Sequence, residues 1–259
     1  MKRVFFTSCS AVVFLGLFIT ATGQDCLAMM GKSHQYGDVS MQHAPGTGKI
    51  GPVIFRHWTH RDKYSCRLCH VDLEFAQIAG QTEVLEEDNK SARYCGACHN
   101  GKEAFSIKQC NSCHIKDDAA GKELERQAKK AFFAFQRSQP GSMYGNKIDW
   151  IAAEINGSVT IKDTLPKISS TKSNFVTNNR DEPREPTLPG LPDIIFSHSK
   201  HVKWNGCGMC HPQPFALVNG KTKMSMQEIT EKKFCGSCHG TVAFPLNDCS
   251  LCHSKPVNM

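Results

Sequence analysis

Cys66-Arg67-Leu68-Cys69-His70 is the first of six Cys-x-x-Cys-His words in this chain. The others run Cys95–His99, Cys110–His114, Cys207–His211, Cys235–His239 and Cys249–His253. Together they use 12 of the 14 cysteines and 6 of the 12 histidines. Two thiols two residues apart can each add to a vinyl group of one porphyrin, and the adjacent His then lies under the iron as its axial ligand. The spacing therefore predicts six covalent haems c. Their tethers are Cys66 and Cys69, Cys95 and Cys98, Cys110 and Cys113, Cys207 and Cys210, Cys235 and Cys238, and Cys249 and Cys252. The proximal ligands are His70, His99, His114, His211, His239 and His253. Zinc ribbons and disulfide frameworks do not require a His after every second Cys. A thioredoxin-like motif would occur once, beside a strand–helix pattern that is absent here.

Outward from the motifs the chain repeats itself. Phe55-Arg56-His57-Trp58-Thr59-His60 precedes the first attachment site, and Phe196-Ser197-His198-Ser199-Lys200-His201 precedes the fourth. His57 to Cys66 and His198 to Cys207 are both nine residues. The next steps are 29 against 28 and 15 against 14. Tyr94-Cys95-Gly96-Ala97-Cys98-His99 matches Phe234-Cys235-Gly236-Ser237-Cys238-His239, and Phe105 matches Phe244. Such spacing marks a duplicated module. The organisation read from it is a signal peptide at 1–28, an N-terminal arm at 29–50, module one at 51–114, a connector at 115–192 and module two at 193–259. Each module, at about 60 residues, is too short for a good apolar core, so three haems are expected to supply one.

An iron that only passes electrons needs a sixth ligand. His57 and His60 share a face of a helical turn, as do His198 and His201, and both pairs stand at the same distance before an attachment site. A generic pair of histidines is more often surface or core than ligand, but the repeated register favours ligation.

Phe-x-His-x-x-His, then three attachment motifs with the middle one in a Tyr/Phe-Cys-Gly-x-Cys-His context, resembles the tri-haem cytochromes of the c-seven type, a branch of the cytochrome c-three superfamily. The resemblance covers both modules. It implies a mainly α chain with much irregular structure, wrapped round closely packed haems as two tandem modules. It also implies that the first His of each pair serves the second haem. On that reading His57 pairs with His99, His60 with His70, His198 with His239 and His201 with His211. Small members of the family have a His shortly before the second motif, and multidomain relatives have a Met. Met226, nine residues before Cys235, is the expected ligand opposite His253, with Met224 beside it. The bland reading is a Met that fills an apolar gap. Module one has Glu86 at the aligned position. His43 of the arm is the expected ligand opposite His114, with His34, Met41, Lys90 or a five-coordinate iron as the alternatives.

The ends and the middle carry less chemistry. Lys2 and Arg3, then the apolar run Ala11–Ile19 and small residues up to Ala28, read as a cleaved signal peptide. A membrane span needs about 20 apolar residues, and this run is shorter. Export to the periplasm or cell envelope agrees with haem attachment outside the cytoplasm. The formal charge is +7. Removing 1–28 lowers it by one, and the propionates of six haems bring the oxidised protein near neutrality, so basicity gives no case for nucleic acid. The connector has no Cys or His. A helix is predicted from Asp117 or Asp118 to about Ser138, with Leu124, Ala128, Phe132 and Phe135 on one face. A second is predicted at 147–155, with Asn146 as cap and Gly157 as stop. Pro183, Pro186, Pro189 and Pro192 read as a stiff polyproline spacer, or as chain lying along module two.

These features predict an electron carrier of the bacterial cell envelope and not an enzyme. It would serve redox protein partners whose identity the sequence does not name, or dock on a membrane or outer-membrane electron-transfer complex. The alternative is a reductase of a small oxyanion at the third haem of module one. No Lys-terminated motif and no cluster of Arg, Tyr and His supports it.

Overall fold

The computed structural model describes residues 32–41, 51–166, 168, 181–184 and 192–255. The signal segment, His43, Pro186 and Pro189 lie outside them. The two modules repeat one plan. At module one, β1 (Asp38–Met41) of the N-terminal arm pairs antiparallel with β2 (Val53–Arg56) of the module, in register from Asp38↔Arg56 to Met41↔Val53. β2 runs straight into α1 (His57–Arg61). A π-helical turn follows at Leu68–Asp72, then α2 (Glu86–Lys90). At module two, β3 (Asp181–Arg184) of the connector forms one sheet with β4 (Asp193–Ser197) and β5 (His253–Lys255) of the module, in that order. The α-helices here are α5 (His198–Asn205) and α6 (Met226–Thr230), numbered after the connector pair below. The bridge Val53↔His114 in module one stands where Ile194↔His253 stands in module two.

The expectation of a mainly α chain is therefore corrected to a mixed one. Both modules carry a small antiparallel sheet and only short helices. The strands escaped the sequence reading because four- and five-residue runs such as Val53–Arg56 are too short for a period of two to show.

The connector holds the longest helix among the described residues, α3 (Asp118–Gln136), and α4 (Trp150–Ile155). Asp117 caps α3, its carboxylate accepting from the Ala120 amide at 2.8 Å. Asp149, not Asn146, caps α4, accepting from the Ala152 amide at 3.0 Å. Asn146 is taken up by Trp150, whose indole Nε1 donates to its side chain at 3.0 Å. Gly157 follows α4 with φ +76°, as a helix stop requires. The apolar face of α3 is buried through Phe132, which is fully enclosed. Phe132 packs with Ile148, Trp150, Ala153 and Val159 of the connector, Trp58 of module one and Trp204 of module two. The side-chain core thus lies between the modules. In the described part of the Pro-rich stretch, Asp181–Arg184 runs as a strand along β4, with Pro183 opposite Ile195.

Candidate functional site

Four of the attachment words are closed as single tight turns. The His99 amide donates to the Cys95 carbonyl at 2.9 Å, and His114 to Cys110, His211 to Cys207 and His239 to Cys235 do the same at 2.9–3.0 Å. One turn brings residues i, i+3 and i+4 to the same side, so two thiols and an imidazole face one space. None of the twelve cysteines is joined in a disulfide.

The glycine that recurs in the middle motif of both modules has a steric cause. A β-carbon at Gly96 would overlap the Asn89 carbonyl at the end of α2, and one at Gly236 would overlap the Ile229 carbonyl of α6. The same approach is made with positive φ at Ala92 and Tyr94 in one module and at Lys232 and Phe234 in the other.

The imidazoles come in opposed pairs. Ring centroids stand 6.3 Å apart for His57 and His70, 6.2 Å for His60 and His99, 6.5 Å for His198 and His211, and 6.2 Å for His201 and His239. An iron bound by one nitrogen of each ring, at roughly 2 Å as in metal–imidazole bonds, sets the centroids about 6 Å apart once half a ring is added on each side. The pairing is the reverse of that implied by the resemblance. His57 faces His70, not His99, and His60 faces His99, not His70; module two repeats the exchange. Spacing on α1 says only that both rings share a face. The turns that carry His70 and His99 decide which ring meets which.

The orientation of the rings fits an iron as well. In six of them Nδ1 lies against a backbone carbonyl at 2.7–3.1 Å: His70 on Phe75, His99 on Phe105, His114 on Gly51, His201 on Ser197, His211 on Phe215 and His253 on Pro192. His57 does the same with Gly37 at 2.5 Å. An imidazole that donates through Nδ1 presents the lone pair of Nε2. Phe55 is wedged between the two rings of its module, edge-on to His57 and tilted over His60, and Phe196 repeats this with His198 and His201. Phe105 and Phe244 back His99 and His239.

Burial favours the neutral form of six of these imidazoles. It pushes His60 down to about 4, helped by His99 opposite, and His239 to about 4, helped by His201. His57, His70, His99 and His201 are lowered for the same reason. Burial and neighbouring thiols raise Cys69 to about 12 and Cys95 and Cys210 to about 11. Such thiols are poor nucleophiles in the folded chain, which does not suit redox cysteines. Among the described residues, no three His, Cys, Asp or Glu side chains converge as a protein-only metal site needs. Two opposed imidazoles with paired thiols at the rim suit a porphyrin iron, which brings its own four nitrogens.

The third position of each module is built differently. His253 is buried, and Met226 is the first residue of α6 with 41% of its surface exposed. Glu86 holds the same place on α2, pairs with Lys90 at 2.7 Å and lies within electrostatic reach of His114. Met41 lies across β2 from His114, since Val53 pairs with both. His34 is turned elsewhere: its Nε2 meets Glu125 at 2.8 Å and its ring packs on Phe132 and Phe133.

Two charged groups escaped the sequence reading. Arg67, inside the first motif, is buried and paired with Asp72 at 2.6 Å and Asp163 of the connector at 3.0 Å. Arg61 reaches across to module two. Both sit beside recognised motifs, but nothing in the local sequence names their partners.

Tethering thiols and opposed imidazoles, repeated through two modules, define a multihaem c-type cytochrome. The chain belongs to the family of cytochrome c7 and related cytochromes c, whose model matches residues 53–115 and 194–255. A solved c7-type three-heme cytochrome domain is 35% identical over 30% of this chain and 93% of that one, with a TM-score of 0.28. The C-terminal hexaheme fragment of GSU1996 is 24% identical over 84% of this chain and 96% of that one, with a TM-score of 0.27. The dodecaheme cytochrome c GSU1996 is 20% identical over 83% and 73%, with a TM-score of 0.28. No curated protein matches the chain. Membership rests on the family model and the 35% identity, not on these superpositions. Among the described residues no helix is long and apolar enough to cross a membrane.

Proposed function

We propose that this chain is an exported hexahaem electron carrier of the periplasm or cell envelope. The observation that carries the reading is the single ring separation, 6.2–6.5 Å, shared by four imidazole pairs. Bound haem supplies one-electron ferric/ferrous chemistry. The chain does the rest: thiols tether, Nδ1–carbonyl contacts aim Nε2 in seven of the rings, and opposed imidazoles hold both axial positions at four haems. An iron held between two such imidazoles would change little in geometry on reduction, which suits passing electrons rather than taking a substrate. Met226 opposite His253 and a ligand from the arm, His43, opposite His114 complete the proposed set. Donor and acceptor are redox proteins or a membrane-bound or outer-membrane complex.

The test is a haem count by intact mass together with ferric and ferrous absorption spectra. Six haems and low-spin spectra are expected. Colourless folded protein, or zinc on the paired thiols, would overturn the reading. Carbon monoxide binding at one reduced haem of six, with turnover of nitrite, would move it to the reductase alternative.

A further inference from the structure

The modules meet around one guanidinium. Arg61, the last residue of α1, donates through Nη1 to the Val242 carbonyl of module two at 2.9 Å. Its guanidinium lies over the Trp150 ring at 4.7 Å and the Trp204 ring at 5.0 Å. Its Nε is sealed from solvent and has no acceptor among the described residues. A cation with so little compensation is costly to bury, although the two indole faces offset part of that cost. The surroundings show what it stands between. The Val242 amide donates to the Cys238 carbonyl at 2.9 Å. Cys66 packs on the aromatic cluster that contains Trp150 and Trp204. The Cys66 and Cys238 thiols lie within electrostatic reach of each other and of Arg61. Comparable reach links Cys69 to Cys95 and Cys98, Cys95 to Cys113, and Cys210 to Cys235 and Cys238 within the modules.

We propose that Arg61 is the positioning residue of the inter-module crossing: it fixes the haem on Cys66 and Cys69 beside the haem on Cys235 and Cys238, and its charge holds both at a raised potential. The proposal rests on the hexahaem reading and adds the route. Electrons pass between modules from the first haem to the fifth, not from the third to the fourth as chain order suggests. The exchange balances simply. One electron lost by the iron between His57 and His70 is gained by the iron between His201 and His239, with no proton and no further reactant. A positive charge favours the ferrous state of both irons, since reduction removes one positive charge from each.

The experiment is a redox titration of the full-length holoprotein, followed haem by haem by nuclear magnetic resonance, with Arg61→Gln and Arg61→Lys. In Arg61→Gln the first and fifth haems should shift to lower potential while those on Cys110 and Cys249 stay. Arg61→Lys, which keeps the charge, should restore most of the shift. Six unchanged potentials, or six that move together, would overturn the proposal. If neither variant folds, the same titration of the unaltered protein decides. The strongest redox interaction across modules should join the first and fifth haems, and a stronger one between any other cross-module pair overturns the route. Fewer than six haems by mass is a different failure. It overturns the hexahaem reading, and takes this proposal with it when the missing haem is the first or the fifth.

Discussion

Gly96 and Gly236 show how little freedom one atom has in this fold. Each lies where the carbonyl closing α2 or α6 touches the attachment turn, and a methyl group there overlaps backbone that cannot yield. Gly96→Ala or Gly236→Ala is expected to cost more than about 4 kcal/mol, in the range reserved for core disruption. Exported protein from either variant should carry fewer haems by mass than the parent. Met226 bears on a potential instead. With a thioether opposite His253, Met226→His should lower one potential by on the order of 0.1 V, a fraction of the roughly 0.8 V that axial ligands span. Asp38 gives a pH signature. Burial raises it from 3.8 to about 6, against the pull of Arg56. A group with a raised folded pKa contributes stability below its unfolded value and loses it as pH rises through about 6. Asp38→Asn should therefore gain about 2 kcal/mol over the parent above that pH. The gain should vanish below about 4, as thermal melts across pH would show.

At the scale of elements, α1 and α5 set the angle between axial rings as well as their identity. His57 and His70 are parallel to within 6°, and His198 and His211 to within 18°. His60 and His99 cross at 54°, and His201 and His239 at 55°. Parallel imidazoles donate into the same iron d orbital and split it from its partner; inclined rings donate into both and reduce the splitting. Low-temperature electron paramagnetic resonance of the ferric protein should thus show two classes of bis-His haem, sorted by place in the module and not by module. One class throughout would contradict the geometry. These elements also mark the limit of the sequence. His57 and His60 were legible as a matched pair because a three-residue step on one helical turn, repeated before two attachment sites, puts both rings on one side. Their partners were not, because both rings leave the same face and tertiary contacts choose among the turns. α3 was legible from Leu124 to Phe135 by its period, and its cap by Asp117. Asn146 misled because Trp150 takes its side chain, a contact within four residues that competes with capping.

Across the whole molecule, the packed side chains and the haem sites form distinct interiors that touch at Cys66. Of the seven buried residues in the main cluster, five belong to the connector, with Trp58 and Trp204 as single contributions from the two modules. The modules themselves are held by short turns around the places where porphyrins belong. The two interiors should fail separately. Phe132→Ala removes the fully buried centre of the cluster and is expected to cost about 3–5 kcal/mol. Because the loss falls at the junction, the variant should keep six haems and its low-spin spectrum. Its modules should melt in two steps, and small-angle X-ray scattering should give a larger radius of gyration than the parent. Blocking attachment at the first word, by Cys66→Ala with Cys69→Ala, should do the opposite: α1 loses the iron that His57 and His70 share, and module one unfolds while module two keeps its colour. A Phe132→Ala protein that lost haem, or a Cys66→Ala, Cys69→Ala protein with module one intact, would mean that side chains rather than porphyrins hold the modules.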